Sequence, residues 1–84
     1  MGTPPRELTI LGRPGCHLCE EALEVLDPGC RAHGVVLRVA DVDDSEELRE
    51  RYGLRIPVVM AGDVELSGWP LDEGRITAWL RRQG

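Results

Sequence analysis

Residues Leu8, Thr9, Ile10 and Leu11 form a short apolar run near the start of an 84-residue chain. Continuous rather than alternating hydrophobicity belongs to a strand covered on both faces. A chain of this length holds one domain with one modest core. Its remaining segments therefore have to supply the covering layers. Gly12-Arg13-Pro14-Gly15 breaks the run, and a helix is expected to start near Cys16. Leu18, Ala22, Val25 and Leu26 fall on one face of that helix, with Glu20, Glu21 and Glu24 largely elsewhere. Asp27-Pro28-Gly29 is expected to end or kink it, since a proline disfavours helical geometry in the residue before it.

Residues 35–40 are rich in β-branched side chains and read as a second strand. An acidic segment follows. Asp44 and Glu47 have the spacing of a capping box, and the acids suit the positive end of a helix dipole. Leu48 and Tyr52 share the inner face of this short helix. Gly53 is expected as its left-handed terminating residue, with Leu54 as the hydrophobic contact. Residues 56–61 read as a third strand, Gly62-Asp63 as a two-residue turn, and residues 64–66 as a returning fourth strand. Ser67-Gly68-Trp69-Pro70 is a loop. Asp72 can cap a last helix that turns Ile76, Trp79 and Leu80 inward and places Arg81 and Arg82 in its final turn.

The order is β-α-β-α-β-β-α, an α/β class. A βαβ opening requires a parallel pair with a right-handed crossover, and the closing hairpin adds an antiparallel edge. The expected architecture is a four-stranded mixed sheet flanked by helices. Residues 1–6 read as a short N-terminal tail and residues 7–84 as a single domain.

Ten arginines, no lysine and fifteen acids leave a formal net charge of −5. Such a surface repels phosphate backbones and argues against non-specific nucleic-acid binding. No apolar run approaches the length of a membrane span, and the first residues lack the apolar core of a secretory signal. A cytoplasmic, monomeric protein is the expectation. Three cysteines are too few, and odd in number, for a disulfide-stapled secreted scaffold.

Two of the three stand as Cys16-His17-Leu18-Cys19, between a predicted strand and a predicted helix start. A thiol at a helix N-terminus meets unpaired backbone N–H groups and the positive dipole end, and both favour the nucleophilic thiolate. Cys16 is expected to be the more exposed cysteine and the attacker. Cys19, one turn further in, is placed to resolve a mixed disulfide. His17 either tunes the thiolate or is a solvent-facing residue with no proton-transfer role. Arg13 either adds positive potential and binds a substrate carboxylate or is a solvated loop arginine. The competing chemistry is metal binding, because Cys30 and His33 complete a Cys-x-x-Cys…Cys-x-x-His pattern. A helix from Cys16 to Leu26 is about 15 Å long, so ligands at its two ends cannot share one ion. Cys30 is then a structural or stray thiol.

With Cys16-His17-Leu18-Cys19 followed by Ile56-Pro57, the chain resembles the glutaredoxin-like branch of the thioredoxin superfamily, and within it the small bacterial glutaredoxin-like proteins. The resemblance runs from Glu7 to Arg82. It implies that Cys16 is the nucleophile and Cys19 the resolving thiol. It implies a cis bond at Pro57, facing the dithiol, with the backbone of Ile56 offered to a substrate peptide or glutathione. Arg13 stands where the family often has a basic residue. Ser67-Gly68-Trp69-Pro70-Leu71-Asp72 is the counterpart of the family's Gly-Gly-acid segment, with Ser for one Gly and the acid later. His-Leu replaces the common Pro-Tyr between the cysteines. Trp69 and Pro70 are candidates for walling the site, with Gly68 and Trp69 candidate substrate-binding residues, Trp69 being equally suited to packing on the sheet edge. Arg55, just before Ile56, either meets a substrate carboxylate or, by default, is solvated.

Three functions are therefore in view. The first is a thiol–disulfide oxidoreductase with no bound cofactor. It would act on disulfide-containing proteins or glutathione mixed disulfides, with glutathione a candidate co-substrate and a thiol as electron donor. The second is a non-catalytic, redox-sensing partner-binding module. The third is metal or iron–sulfur binding through Cys16.

Overall fold

The computed structural model describes residues 6–83. Its elements are β1 (Glu7–Gly12), α1 (His17–Ala32), β2 (Val36–Asp41), a 3-10 turn (Val42–Asp44), α2 (Glu46–Tyr52), β3 (Val58–Ala61), β4 (Val64–Ser67) and α3 (Glu73–Arg82). The sheet order is β2-β1-β3-β4. β1 and β2 are parallel, with Glu7 opposite Val36 and Gly12 opposite Asp41. β3 runs antiparallel to both β1 and β4. This is the α/β mixed sheet of a thioredoxin-like fold, in the order β-α-β-α-β-β-α.

The apolar run of β1 is explained by two core clusters. Leu8 and Ile10 pack with Ala22, Leu26 and Cys30 of α1 and with Ile76 and Leu80 of α3. Leu11 packs on the other side of the strand with Val42, Tyr52, Val58 and Met60. Both faces of β1 are thus closed, which fits its continuous hydrophobicity.

The first helix corrects the expectation at Pro28. It continues through the proline to Ala32. Leu26 and Cys30, one turn apart across Pro28, are both buried in the main cluster. An interior proline costs about 3 kcal/mol, and this buried apolar face offsets it. The actual stop is Gly34, at φ +66°. Val35 N–H donates to the Cys30 carbonyl at 2.8 Å and Gly34 N–H to the Arg31 carbonyl at 3.3 Å. These are the two bonds of a Schellman ending, and Val35 joins Cys30 in the core as its hydrophobic contact.

The second helix also differs from its expected ends. Asp44 belongs to the 3-10 turn, so the cap falls one residue later. Ser45 Oγ accepts from the Leu48 N–H at 3.3 Å. Gly53 is right-handed, at φ −54° and ψ −30°, and Leu54 is fully exposed rather than packed. The inner residues are as expected, with Tyr52 buried and Leu48 against the second cluster. β3 begins at Val58 and not at residue 56, since Pro57 has no N–H for the ladder. Gly62 takes φ +61° in the turn to β4. Asp72 caps α3 by accepting from the Arg75 N–H at 3.0 Å. Ile76 and Leu80 are buried there, and Trp79 packs partly buried against the same cluster.

Two substitutions separate these signals. Gly34→Ala should lower stability by about 1–2 kcal/mol, the cost of a left-handed residue with a side chain. Pro28→Ala, at an exposed position inside the helix, should raise it, by less than the ~3 kcal/mol helix penalty. Urea unfolding of both variants checks the signs.

Candidate functional site

β1 ends at Gly12, and α1 begins at His17. The connecting loop turns through Gly15 at φ +78°. Cys16 is the residue that caps α1. Its backbone is extended (φ −79°, ψ 109°), and its Sγ accepts from the Cys19 N–H at 3.3 Å. Its own N–H donates to the Arg13 carbonyl at 3.1 Å. A sulfur in a capping position takes the place of the usual hydroxyl or carboxylate oxygen. It therefore lies at the positive end of a sixteen-residue helix.

Cys16 and Cys19 form a disulfide, with Cα atoms 5.2 Å apart. The two sulfurs are not equivalent. Cys16 is half-buried, whereas Cys19 is only 7% exposed. Cys19 fits there because Gly12 has no side chain. A Cβ on Gly12 would stand 2.7 Å from Cys19 Sγ, closer than such atoms approach. The sequence shows Gly12 as a strand breaker; its service to the dithiol depends on the turn that folds α1 back beside β1.

The sheet register gathers the other candidates at the same end. Leu11 pairs with Val58, so Pro57 comes level with Gly12. The Ile56–Pro57 peptide bond is cis, as is Trp69–Pro70. Pro57 is buried and Ile56 half-buried against the second cluster. Val59 pairs with Ser67, which carries the chain into Gly68 and Trp69 at that end as well. Ser67 is buried yet satisfied. Its Oγ accepts from the Asp72 N–H at 2.8 Å and donates to the Gly68 carbonyl at 2.9 Å. The hydroxyl holds the loop at Gly68 to the start of α3, a role for Ser67 that sequence reading did not assign. Trp69 is 37% exposed, and His17 lies exposed on the first turn of α1.

Arg13 is engaged within the protein. Its Nε and Nη2 donate to the two carboxylate oxygens of Asp43 at 2.8 and 3.2 Å, and its Nη1 donates to the Gly53 carbonyl at 2.9 Å. The hydrogen bonds hold the Asp43 carboxyl below the usual carboxylate range and the guanidinium above its own. Asp43 entered the sequence reading only as one acid in a run.

Cys30 and His33 do not reach this site. Cys30 sits about 21 Å along α1 from Cys16 at 1.5 Å per residue. It is buried in the core, and burial, with a smaller contribution from Asp27, pushes its thiol up. Among the described residues no group of three His, Cys, Asp or Glu side chains is disposed to hold a metal ion. Among the same residues, no helix is long and apolar enough to cross a membrane. Arg55 is paired with Glu65 at 2.9 Å and lies over the Tyr52 ring, rather than free in solvent.

A four-stranded mixed sheet carrying a Cys-x-x-Cys pair at the N-terminus of its first helix defines a redox module of thioredoxin fold. The chain belongs to the family described as glutaredoxin-like domain (DUF836), whose model matches residues 7–81. An uncharacterized protein of Mycobacterium tuberculosis is 32% identical over 81 residues, covering 90% of this chain and 84% of that protein. The solution structure of protein Ne2328 from Nitrosomonas europaea is similar, with 37% identity and a TM-score of 0.81 over 94% of this chain and 95% of that one. The X-ray structure of protein XcR50 from X. campestris is 38% identical, with a TM-score of 0.68 over 92% and 99% of the two chains.

Two outcomes follow from this geometry. After reduction, iodoacetamide should label Cys16 first and Cys19 more slowly, while Cys30 reacts only in denaturant; peptide mapping reads the order. The Asp43 carboxyl is depressed in the folded state, so its contribution to stability is present above the ordinary value of 3.8 and is lost as pH falls through the lower folded value. Asp43→Asn should therefore melt lower than the unsubstituted protein at pH 7, and the gap should close on acidification.

Proposed function

We propose that the protein is a thiol–disulfide oxidoreductase in which Cys16 attacks and Cys19 resolves. The observation that carries this is the asymmetry of the pair. The half-buried Cys16 caps the helix, where the dipole and the Cys19 N–H favour a thiolate, and Cys19 is buried one turn behind it.

The chemistry balances as two displacements. The Cys16 thiolate attacks one sulfur of a substrate disulfide, forming a mixed disulfide and expelling the other sulfur as a thiolate. Cys19 loses its proton to solvent and attacks Cys16 Sγ, closing the intramolecular disulfide and releasing the second substrate thiol. Two electrons have passed from the dithiol to the substrate. Two equivalents of a thiol donor reverse the sequence and restore the dithiol. Protein disulfides and glutathione mixed disulfides both meet the requirement of an accessible sulfur. Ile56, Pro57, Gly68 and Trp69 are proposed to line the groove in which the substrate chain lies beside Cys16, with His17 at its rim. The level placement of Pro57 with Gly12 and the exit of β4 toward Gly68 support this.

Cys16→Ser should reduce insulin disulfide reduction to background, and Cys19→Ser should accumulate a mixed disulfide visible by intact mass. Full activity in Cys16→Ser would remove the mechanism. Stoichiometric metal in the purified protein, with no exchange activity, would favour the metal reading instead.

A further inference from the structure

Arg13 donates from three of its nitrogens to groups of the protein itself. Its partners come from separate places in the chain. Asp43 lies in the 3-10 turn after β2, and Gly53 closes α2. Arg13 opens the short stretch that ends at Cys16, and Gly53 opens the stretch that ends at Pro57. One guanidinium therefore ties the loop that carries Cys16 to the stretch that leads to the Ile56–Pro57 bond.

Gly53 offers the arginine both a carbonyl and open space. Its backbone lies in the ordinary right-handed helical region, open to any residue. A Cβ there would nonetheless stand 3.0 Å from Arg13 Nη2 and collide with the Arg49 carbonyl. The Arg49 carbonyl alone requires glycine there, and the missing side chain also leaves Arg13 Nη2 unobstructed beside Asp43. The Arg13 side chain is 34% exposed, and Asp43 offsets its charge in a two-pronged pair. Asp41 joins the same group, its side chain accepting from the Asp43 N–H at 2.8 Å. A substrate carboxylate would find only the two remaining N–H groups of a guanidinium whose charge Asp43 already offsets.

We propose that Arg13 is a positioning residue that fixes the Cys16 loop against the Ile56–Pro57 loop, and that the site accordingly accepts disulfides without selecting for an anionic partner such as a glutathione carboxylate. The second half of this rests on the exchange reaction at Cys16; the first half does not.

The test compares Arg13→Gln, Asp43→Asn and Arg13→Lys. The probes are 2-hydroxyethyl disulfide, which is neutral, and glutathione disulfide, which is anionic. The pH profile of Cys16 alkylation in the reduced protein is followed in parallel, and thermal melting shows that each variant is folded. A positioning role makes Arg13→Gln and Asp43→Asn agree in sign. Both should shift the alkylation profile and slow exchange with both probes alike, by up to about a hundredfold for a reacting group misplaced by about 1 Å. Arg13→Lys should not restore the rate, because an ammonium cannot reproduce the planar fork. A ligand role gives opposite signs. Arg13→Gln would then slow glutathione disulfide alone, and Asp43→Asn, by freeing the guanidinium, would accelerate it. That result, or an unchanged alkylation profile in both folded variants, overturns the proposal. If Arg13→Gln does not fold, the sign of the Asp43→Asn effect on glutathione disulfide decides. Failure of the unsubstituted protein to exchange with either probe would refute the reaction at Cys16, while the alkylation profiles would still test the positioning role.

Discussion

Burial of β1 on all four sides is the constraint on which the rest of the molecule depends. Its two edges are hydrogen-bonded to β2 and β3. One face holds Leu8 and Ile10 against α1 and α3, and the other holds Leu11 against the smaller cluster that includes Tyr52. A strand fixed this way cannot slip by one residue without exchanging its two faces. Its last residue is consequently fixed too. Gly12 marks the point at which the chain leaves the sheet, and Cys16 follows after one short turn.

The site is the set of chain segments that end at that level of the sheet. The parallel partner brings Asp41 beside Gly12 and delivers Asp43 just beyond. The antiparallel partner brings Pro57. The fourth strand delivers Gly68. Apart from Gly12 at the end of β1, none of these positions is near Cys16 in sequence. The redox pair gains its asymmetry from the same arrangement: the helix presents the sulfur of Cys16 at its N-terminus and packs that of Cys19 against a glycine. An accessible thiol with a buried partner one turn away is suited to two successive displacements rather than to one stable adduct.

Local features were readable where they depend on neighbours in sequence. The apolar run of β1, the turn at Gly62, the cap at Asp72 and the Cys16–Cys19 pair all depend on adjacent residues, and the structure places them accordingly. Pro28 misled because its effect on the backbone is local, whereas Leu26 and Cys30 contribute burial that only the assembled core reveals. Gly53 misled in another way. Glycine after a helix ordinarily means a left-handed turn, but this one serves space and keeps a right-handed backbone. The Arg13–Asp43 pair was out of reach because its members are thirty residues apart and meet only through the parallel register of β1 and β2.

The central claim is that Cys16 and Cys19 form a reversible two-electron couple. Equilibrating the protein in glutathione redox buffers, with thiol state read by intact mass and peptide mapping, tests it most directly. The expected result is reversible loss of two hydrogens, mapped to the Cys16–Cys19 peptide, with a midpoint inside the roughly −270 to −120 mV range of Cys-x-x-Cys oxidoreductases and Cys30 reduced throughout. No intramolecular disulfide at any poise, or one that engages Cys30, would contradict it.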